Sequence, residues 1–411
     1  MLMKSISRNF LRPFRNGSRK LSTVSEESFV WPREREGNVT DVNWSLTGDG
    51  VVPVGDAFSN SRLPLLTTRL PVKVEGGKIE LKEPIYTGDY KLEEAGEGGF
   101  SHSSFGEILE SIQSHQSSGV DLFVEDAGVG AYAPSRVGVR VITVDPALAL
   151  ISRSLLITVP ARAVDHRARF DGWKLDPRWD SPGVFMKWDG KKYNFEKSDT
   201  GKGQRPIVAF VGGDSKAVAV QFVENEKKAI VGANIVIGGK APVSGLVDAV
   251  GHAATVLINN QQAESLAIPS ASFTKDKSTC VVVGADEDVV SALYANKSLY
   301  GAYHNILTSV GVSAIWNGFI GTATAADADS VPSVFVGGKS AISLSPYNAV
   351  FPATHIAFYE KGQKTSSLSE DEAVKRIVAL TEESKSDLIK SLLKGVKLSV
   401  VGSAADVSKI L

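Results

Sequence analysis

The sequence predicts a mixed α/β fold. Short apolar runs, each bounded by glycine or charged residues, recur along the chain and are typical of buried strands. Between them lie segments with apolar residues at helical spacing, and Gly-Gly pairs mark turns. Hydrophobic residues make up 43% of the 411 residues and charged residues 22%, as in a folded globular protein. A chain of this length exceeds one simple core, so two domains, or one large mixed domain, are expected.

The first half of the chain alternates predicted strands and helices. The pair Gly76-Gly77 predicts a hairpin between strands at 70–74 and 78–81. Apolar residues share one face over 104–116, which predicts a helix there. Further along, strands are predicted at 121–125 and 137–142, a helix at 146–156 with Asp145 as its N-cap, and an irregular connection at 165–204.

The second half is richer in predicted strands. These strands are 207–211, 217–223, 229–231, 235–237, 279–283, 333–336, 341–344 and 396–401. The predicted helices are 244–258, 286–294, 299–310, 370–379 and 384–393. No apolar run approaches the length of about 18 residues that a membrane-spanning helix needs.

Residues 1–21 have the composition of an organelle-targeting peptide. They carry six Lys and Arg residues, and no acidic residue precedes Glu26. Apolar residues recur every four positions along one helical face, namely Leu2, Ile6, Phe10 and Phe14. A basic segment with such a stripe is typical of a mitochondrial transit peptide, and Arg19-Lys20-Leu21 before Ser22 resembles a mitochondrial processing site. A disordered basic tail and a chloroplast address are the alternatives.

The rest of the chain is mildly acidic and nearly free of cysteine. Without the six N-terminal cations, 39 Lys and Arg residues stand against 46 Asp and Glu residues. That balance argues against nucleic acid as the main partner. The single cysteine, Cys280, excludes a disulfide within the chain, and its apolar neighbours predict a core residue.

Residues 121–143, DLFVEDAGVGAYAPSRVGVRVIT, resemble a segment of ATP-dependent phosphoenolpyruvate carboxykinases. That family carries an Asp-Leu-Phe-Val strand, a Gly-Ala loop and a Val-Arg-Val-Ile-Thr strand. Residues 147–157 resemble the helix and strand that follow in the family, and 42–46 resemble its N-terminal Trp-Asn-Leu segment. The resemblance extends over about residues 40–300. It implies a carboxykinase-like two-domain architecture, with an N-terminal-like domain at 22–225 and a reduced nucleotide-binding domain at 226–411.

The family's substrate-binding motif is altered in this chain. The motif Thr-Gly-Arg-Ser-Pro-Lys-Asp-Lys, whose Arg binds the substrate carboxylate, is matched best by Tyr86-Thr87-Gly88-Asp89-Tyr90-Lys91. Asp89 then stands where the family has its Arg. An Arg fork binds a carboxylate in two hydrogen bonds, whereas an Asp repels it.

The family's phosphate-binding loop is also missing. The strand that precedes it resembles Cys280-Val281-Val282-Val283-Gly284. The loop Gly-Leu-Ser-Gly-Thr-Gly-Lys-Thr-Thr is replaced by residues 285–291, in which Asp286, Glu287 and Asp288 are acidic and the Lys position is apolar. Phosphate binding at a helix N-terminus requires exposed amides and no competing negative charge, so ATP binding is not expected.

The metal ligands of the family, a Lys, a His and an Asp, are not matched either. The His position falls near Ile268, and the Lys position falls within 238–248, where Lys240 is a candidate. Asp327 and Asp329 are two acids in a loop rich in Ser and Ala, which favours a solvated position. The resemblance therefore assigns no catalytic, cofactor-binding or metal-binding residue to this chain.

Other polar motifs have simpler interpretations. Gly337-Gly338-Lys339-Ser340 mimics the end of a phosphate loop, but the full pattern needs Gly where Ser333 stands, so a hairpin turn is predicted. Asp165-His166-Arg167-Ala168-Arg169 is predicted to be a salt-bridged surface loop, with an anion site as the alternative. No two histidines have the i, i+4 spacing of a helical metal site.

The sequence favours a non-catalytic carboxykinase-like protein that is mitochondrial, in the matrix or facing it. Its expected role is that of a structural or accessory subunit of a mitochondrial complex, with protein partners and without ATP, metal or another cofactor. The alternative is an active carboxykinase that converts oxaloacetate and ATP to phosphoenolpyruvate and CO2 in gluconeogenesis. A third possibility is that the cleft corresponding to the family's active site binds another small metabolite.

Overall fold

The structure is a computed structural model that describes most of the chain from Leu46 onward. It describes residues 46, 49–61, 63–69, 72–75, 78–81, 89–96, 100–132, 135–157, 184–188, 193–197, 207–225, 228–241, 243–275, 278–295, 299–321, 333–336, 340–344, 350–381, 383–407 and 409–410. The predicted transit peptide at 1–21 lies outside this part of the chain.

The described residues form strands throughout the chain. In chain order these are β1 (Ala57–Ser59), β2 (Val72–Glu75), β3 (Lys78–Leu81), β4 (Leu92–Glu94), β5 (Leu122–Val129), β6 (Val137–Thr143), β7 (Val184–Trp188), β8 (Tyr193–Lys197), β9 (Ile207–Gly212), β10 (Val218–Glu224), β11 (Ile230–Gly238), β12 (Ser265–Lys275), β13 (Ser278–Val283), β14 (Leu299–Gly301), β15 (His304–Thr308), β16 (Gly311–Ala314), β17 (Gly318–Gly321), β18 (Ser333–Val336), β19 (Ser340–Leu344), β20 (Val350–Phe351), β21 (His355–Tyr359), β22 (Ser366–Ser367) and β23 (Lys397–Val401).

Helices lie between these strands. They are α1 (Leu63–Thr68), α2 (His102–Gln116), α3 (Pro146–Leu155), α4 (Val243–Gln261), α5 (Glu287–Ala295), α6 (Glu370–Val378), α7 (Ser386–Leu393) and α8 (Ala404–Val407), with a short 3-10 helix at Glu383–Lys385 before α7. Several begin at a polar cap whose side chain accepts a backbone N–H, including Ser101 for α2, Asp145 for α3, Asp286 for α5 and Ser369 for α6. Of the described residues, no helix is both long and apolar enough to span a membrane.

Two large mixed sheets organise the fold. Sheet 1 has the strand order β1-β5-β6-β9-β11-β10-β4, and sheet 2 has the order β20-β16-β15-β12-β13-β21-β23-β22 with β14 paired to β12. A smaller sheet 3 has the order β17-β19-β18-β3-β2, and β7 pairs with β8 in a hairpin. The mixed α/β class predicted from the sequence is therefore confirmed.

Helices cover both faces of sheet 1. Helix α2 packs on one face, where Phe105 and Ile112 join a buried cluster with Val124 and Phe210. Helices α3 and α4 pack on the other face, in the largest apolar cluster of the molecule. Helix α4 is buried on nearly every side because it also packs against β12 of sheet 2.

Sheet 2 has a helical layer on each face as well. Helices α6 and α7 bury Ile377 and Ile389 against Val281 and Phe358. Helices α5 and α8 bury Val289 and Val407 on the opposite face, beside Cys280. Neighbouring residues of a central strand therefore point into different cores, which requires apolar residues in succession.

One predicted helix is a pair of strands. Residues 299–310 were expected to be helical, but they form β14 and β15. Ile306 points into the core shared with sheet 1, whereas Leu307 points into the core under α6 and α7. A strand buried on both faces has consecutive apolar residues, and this pattern resembles that of a buried helix. The 11-residue strand β12 was not predicted, because its serines and Pro269 interrupt the apolar pattern.

Most other predicted elements are confirmed, with shifts at their ends. The hairpin β2–β3, the helices α2 and α3, and the strand–helix pair β13–α5 lie where the sequence places them. Segments 229–231 and 235–237 are one strand, β11, and the predicted irregular connection at 165–204 contains the hairpin β7–β8. Residue 225 lies in the turn between β10 and β11, and sheet 1 continues to Gly238.

Candidate functional site

The segment that follows β13 leads from a strand into a helix, an arrangement in which a helix N-terminus can bind an anion. The strand ends at Val283, Gly284 adopts a φ of 74°, and α5 begins at Glu287. The left-handed φ of Gly284 makes the sharp turn that connects the two elements. This strand–turn–helix arrangement is the one that the sequence predicted.

The N-terminus of α5 is occupied by the chain's own carboxylate. Asp286 Oδ1 accepts a hydrogen bond from Val289 N at 3.0 Å, so Asp286 acts as the N-cap. The side chain of Tyr359 also hydrogen-bonds to Asp286. An amide that would otherwise face a bound anion is thereby satisfied, and the positive end of the helix carries a fixed negative charge.

A lysine from the neighbouring strand end faces these acids. Lys361 Nζ lies 3.0 Å from Asp288 Oδ2 and 3.9 Å from Asp286 Oδ2. The hydrogen bond to Asp288, with the charges of both aspartates, raises the pKa of Lys361. Lys361 and Asp288 are largely exposed, so this is a surface ion pair, in which Lys361 already faces carboxylates.

The segment matched to the family's substrate motif is anchored to α4. Asp89, which the resemblance aligns with the family's Arg, is exposed. The next residue, Tyr90, donates a hydrogen bond from its hydroxyl to Asp248 on α4 and packs over Gly245. Burial and the bond to Asp248 raise the pKa of Tyr90, so it remains a neutral phenol. Tyr90 therefore makes a structural contact with α4. Asp89 beside it offers no positive charge that could pair with the carboxylate of a bound substrate.

The positions matched to metal ligands are apolar or paired. Ile268 is fully buried in β12 and lies opposite Asn305 of β15. Lys240 is half exposed and lies 3.4 Å from Asp214 Oδ1. Within the described part of the chain, no group of three or more His, Cys, Asp or Glu side chains is placed to hold a metal ion. Asp327 and Asp329 lie outside that part, as do Gly337-Gly338-Lys339 and residues 165–169.

Cys280 is a core residue, as predicted. It is fully buried in β13, and burial raises the pKa of its thiol to about 12. The reactive form of cysteine is the thiolate, which is therefore scarce at neutral pH.

Sequence reasoning missed a buried charged cluster on sheet 1. Arg140 of β6 donates from Nε to Asp126 Oδ1 at 2.7 Å, from Nη2 to Asp126 Oδ2 at 2.9 Å and from Nη1 to Asp49 Oδ2 at 2.9 Å. All three side chains are at most 7% exposed. Burial alone would lower the pKa of Arg140, but the two carboxylates outweigh it and the net shift is upward. The cluster fastens the segment around Asp49 to sheet 1.

A buried glutamate lies beside this cluster in β5. Glu125 is 2% exposed, its Oε2 lies 3.7 Å from Arg153 Nη1, and its Oε1 has no hydrogen-bond partner. Burial raises the pKa of Glu125 to about 8, although Arg153 and the backbone of Ser61 oppose that shift. A single Glu within an apolar strand would have suggested a buried carboxyl. Glu125 instead lies in the acidic pair Glu125-Asp126, and such a pair usually indicates a solvated turn.

His304 begins β15 and is partly buried. Its imidazole lies against the backbone of α4 at Gly251, where a Cβ would come within 2.7 Å of the ring. Burial, with a smaller contribution from His252, lowers the pKa of His304 to about 4. His304 is therefore neutral at physiological pH and is a packing residue at the junction of α4 and β15.

These positions do not come together as one catalytic constellation among the described residues. The acids after β13, the segment at Asp89–Tyr90 and the buried charges of β5 and β6 each have local partners and separate surroundings. Comparison with known proteins adds no relative that would assign a site, since no protein-family model matches this chain and no curated protein matches it significantly.

Proposed function

We propose that this chain is a non-catalytic relative of the ATP-dependent phosphoenolpyruvate carboxykinases, with a related two-domain architecture. In this proposal it serves as a structural or accessory subunit of a complex in mitochondria, to which residues 1–21 direct it. The resemblance over 121–143 supports the ancestry, and the basic N-terminal segment supports the location.

The observation that carries the loss of activity is the occupied N-terminus of α5. Phosphoryl transfer depends on positioning the phosphates and neutralising their charge with metal ions and cations. Here Asp286 caps the helix, Asp288 adds a second carboxylate, and Lys361 faces both of them. A triphosphate at this place would meet two carboxylates. If Lys361 turned toward the triphosphate, both carboxylates would lose their ion pair with it.

The anchored segment at Tyr90 supports the same proposal. A site for oxaloacetate needs a cation to pair with its carboxylates. Tyr90 is bound to Asp248, and Asp89 adds negative charge. Both halves of the family's chemistry, phosphate binding and carboxylate binding, would therefore face groups of the wrong charge.

Ligand binding is tested by thermal unfolding of the purified mature chain. We expect millimolar ATP with Mn²⁺ to leave the melting temperature unchanged, because only a ligand that binds the native state stabilises it. Mn²⁺ alone is the control for metal binding, and an active ATP-dependent carboxykinase is the positive control. A rise in melting temperature with ATP would contradict the proposal.

Catalysis is tested by a coupled assay for phosphoenolpyruvate formed from oxaloacetate and ATP. We expect no turnover above the background without protein. Turnover that increases with protein concentration would favour the alternative, an active carboxykinase.

The role as a subunit is tested by native purification from mitochondria. We expect the chain to migrate with a large assembly and to remain with it at moderate salt. Migration as a free monomer in intact mitochondrial extracts would contradict the subunit role while leaving the ancestry unaffected.

A further inference from the structure

We infer that sheets 1 and 2 form one rigid unit, joined by a permanent internal seam, so the molecule does not open along the line between them. The seam consists of Gly130, Ala131, Ser135 and Leu155 on the side of sheet 1, and of Ser265, Ala314, Ile315, Trp316 and Asn317 on the side of sheet 2. This inference goes beyond the proposed function and does not depend on the ancestry.

Backbone hydrogen bonds cross the seam directly. Gly130 N donates to Ile315 O at 2.7 Å, Ala131 N donates to Ala314 O at 3.0 Å, and Asn317 N donates to Leu155 O at 2.8 Å. The hydroxyls of Ser135 and Ser265, both buried, are also hydrogen-bonded to each other. Opening the seam would leave these groups without partners until water reached them, which is costly for buried backbone.

A single apolar core continues through the seam. Ala267, Ile306, Ile315 and Trp316 of sheet 2 belong to the same buried cluster as the residues of sheet 1 and its helices α3 and α4. Trp316 is 2% exposed and is among the largest buried side chains. Separation of the sheets would expose this core to water, because the cluster is continuous from one sheet to the other.

Helix α4 is tied to both sheets. On sheet 2, Asn259 Nδ2 donates to Ala267 O at 2.9 Å, and Ala267 N donates back to Asn259 Oδ1 at 2.8 Å. On sheet 1, Gln261 Nε2 donates to Ile230 O at 3.0 Å. Gly251 lets the ring of His304 lie on the helix backbone, because any larger residue would collide with it. The helix therefore cannot move with one sheet and leave the other.

Sheet 3 provides a second connection between the two ends of the chain. Strand β3, from residues 78–81, pairs in parallel with β18, from residues 333–336. Helix α3 of the first core also contacts β17 and β19 of this sheet. Sheet 3 therefore adds a second link between the N-terminal part of the described chain and the part that follows β16.

The test is hydrogen exchange on the full mature chain, followed peptide by peptide in urea. We expect the slowest amides of β5 and β6 to exchange through the same opening as the slowest amides of β12 and β13, with one free energy of opening and one urea dependence. Two different openings, one for each sheet, would overturn the inference.

A reciprocal pair of glycine variants sharpens the test. Gly119 precedes β5 of sheet 1 and Gly362 follows β21 of sheet 2, with φ of 92° and 84°, and a Cβ at either would meet no atom within 4 Å. Gly119→Ala and Gly362→Ala thus each introduce backbone strain without a collision, enough to speed exchange about tenfold.

In one rigid unit each variant accelerates the slowest amides of both sheets by the same factor. Acceleration confined to the sheet that carries the substitution would overturn the inference. If a variant does not fold, the urea dependence of the unaltered chain still decides between one opening and two. Because neither readout involves ATP or a partner, failure here is distinguishable from failure of the proposed function.

Discussion

Charged residues have opposite roles in two regions of this molecule. On β5 and β6 of sheet 1, Arg140, Asp126 and Asp49 are buried, and their hydrogen bonds have short distances. After β13 of sheet 2, Asp286, Asp288 and Lys361 are at least one-third exposed and make a loose surface pair around a helix N-terminus. The first region fastens a segment to the sheet, whereas the second caps a helix at the surface. Solvent access, and not residue type, separates these roles.

The largest expected effect is from removing the buried cation. Arg140→Leu should lower the free energy of unfolding by about 3–5 kcal/mol, because Asp126 and Asp49 would remain buried without a partner. Urea denaturation measures the loss. Adding Asp126→Asn and Asp49→Asn should recover part of it, since the unpaired charges are then gone. The control is Arg376→Leu, whose ion pairs lie nearer the surface, and its effect should stay below about 1 kcal/mol.

The second prediction concerns the pH dependence that Glu125 imposes. Its pKa is raised from 4.5 in the unfolded chain to about 8 in the fold. The native state therefore binds more protons in this range, and its stability should fall as pH rises from 4.5 to 8, then level off. The slope should approach roughly 1 kcal/mol per pH unit within that window.

Glu125→Gln should remove this slope, since a neutral amide has no proton to lose. Urea denaturation at pH 5.5, 7 and 8.5 measures it in both proteins. Glu372→Gln, on the exposed face of α6, is the matched control and should keep the original slope. If the parent chain and Glu125→Gln have the same free energy of unfolding at pH 8.5, the carboxyl of Glu125 is not in the buried, partly unpaired position described here.

The third prediction addresses the cap after β13. Asp286→Ala should lower the free energy of unfolding by about 1 kcal/mol, because Val289 N loses the acceptor that caps α5. Asp288→Ala is the control, since its carboxylate points to solvent and Lys361. We expect neither variant to bind ATP, because removing one carboxylate supplies neither a glycine-rich loop nor a phosphate-binding lysine. If the two substitutions lower the free energy of unfolding equally, the N-cap hydrogen bond of Asp286 does not stabilise α5.

The smallest expected effect is at Lys361. Lys361→Ala should leave the urea midpoint unchanged, because an exposed lysine in a surface pair contributes little to stability. The same measurement in high salt should show no further difference between variant and parent. A clear loss of stability would place Lys361 with the structural charges of sheet 1, and the contrast between the two regions would then fail.

Sequence patterns predicted the elements whose signals are local. Asp145 and Pro146 predicted the start of α3, and the apolar spacing over 104–116 predicted α2. The strand–turn–helix at β13 and α5 was predicted from an apolar run followed by acids. These elements depend on caps, turns and one-sided burial, which a short window of sequence reveals.

Elements and sites that depend on distant partners were missed or misassigned. Residues 299–310 form strands because β12 and β16 pair with them and apolar cores cover both of their faces. The partners of Arg140, which are Asp126 and Asp49, lie 14 and 91 residues away along the chain, so no local pattern links the three.

The sequence by itself determined the mixed α/β class, the run of acidic residues after the strand at 279–283 and the buried environment of Cys280. All three follow from composition and spacing along short segments. Only the tertiary structure decided which charges are structural, how α4 joins the two sheets, and that Lys361 faces the acids after β13. Those features need residues far apart in the chain to meet, and burial then fixes whether a charge must be paired or can be left to water.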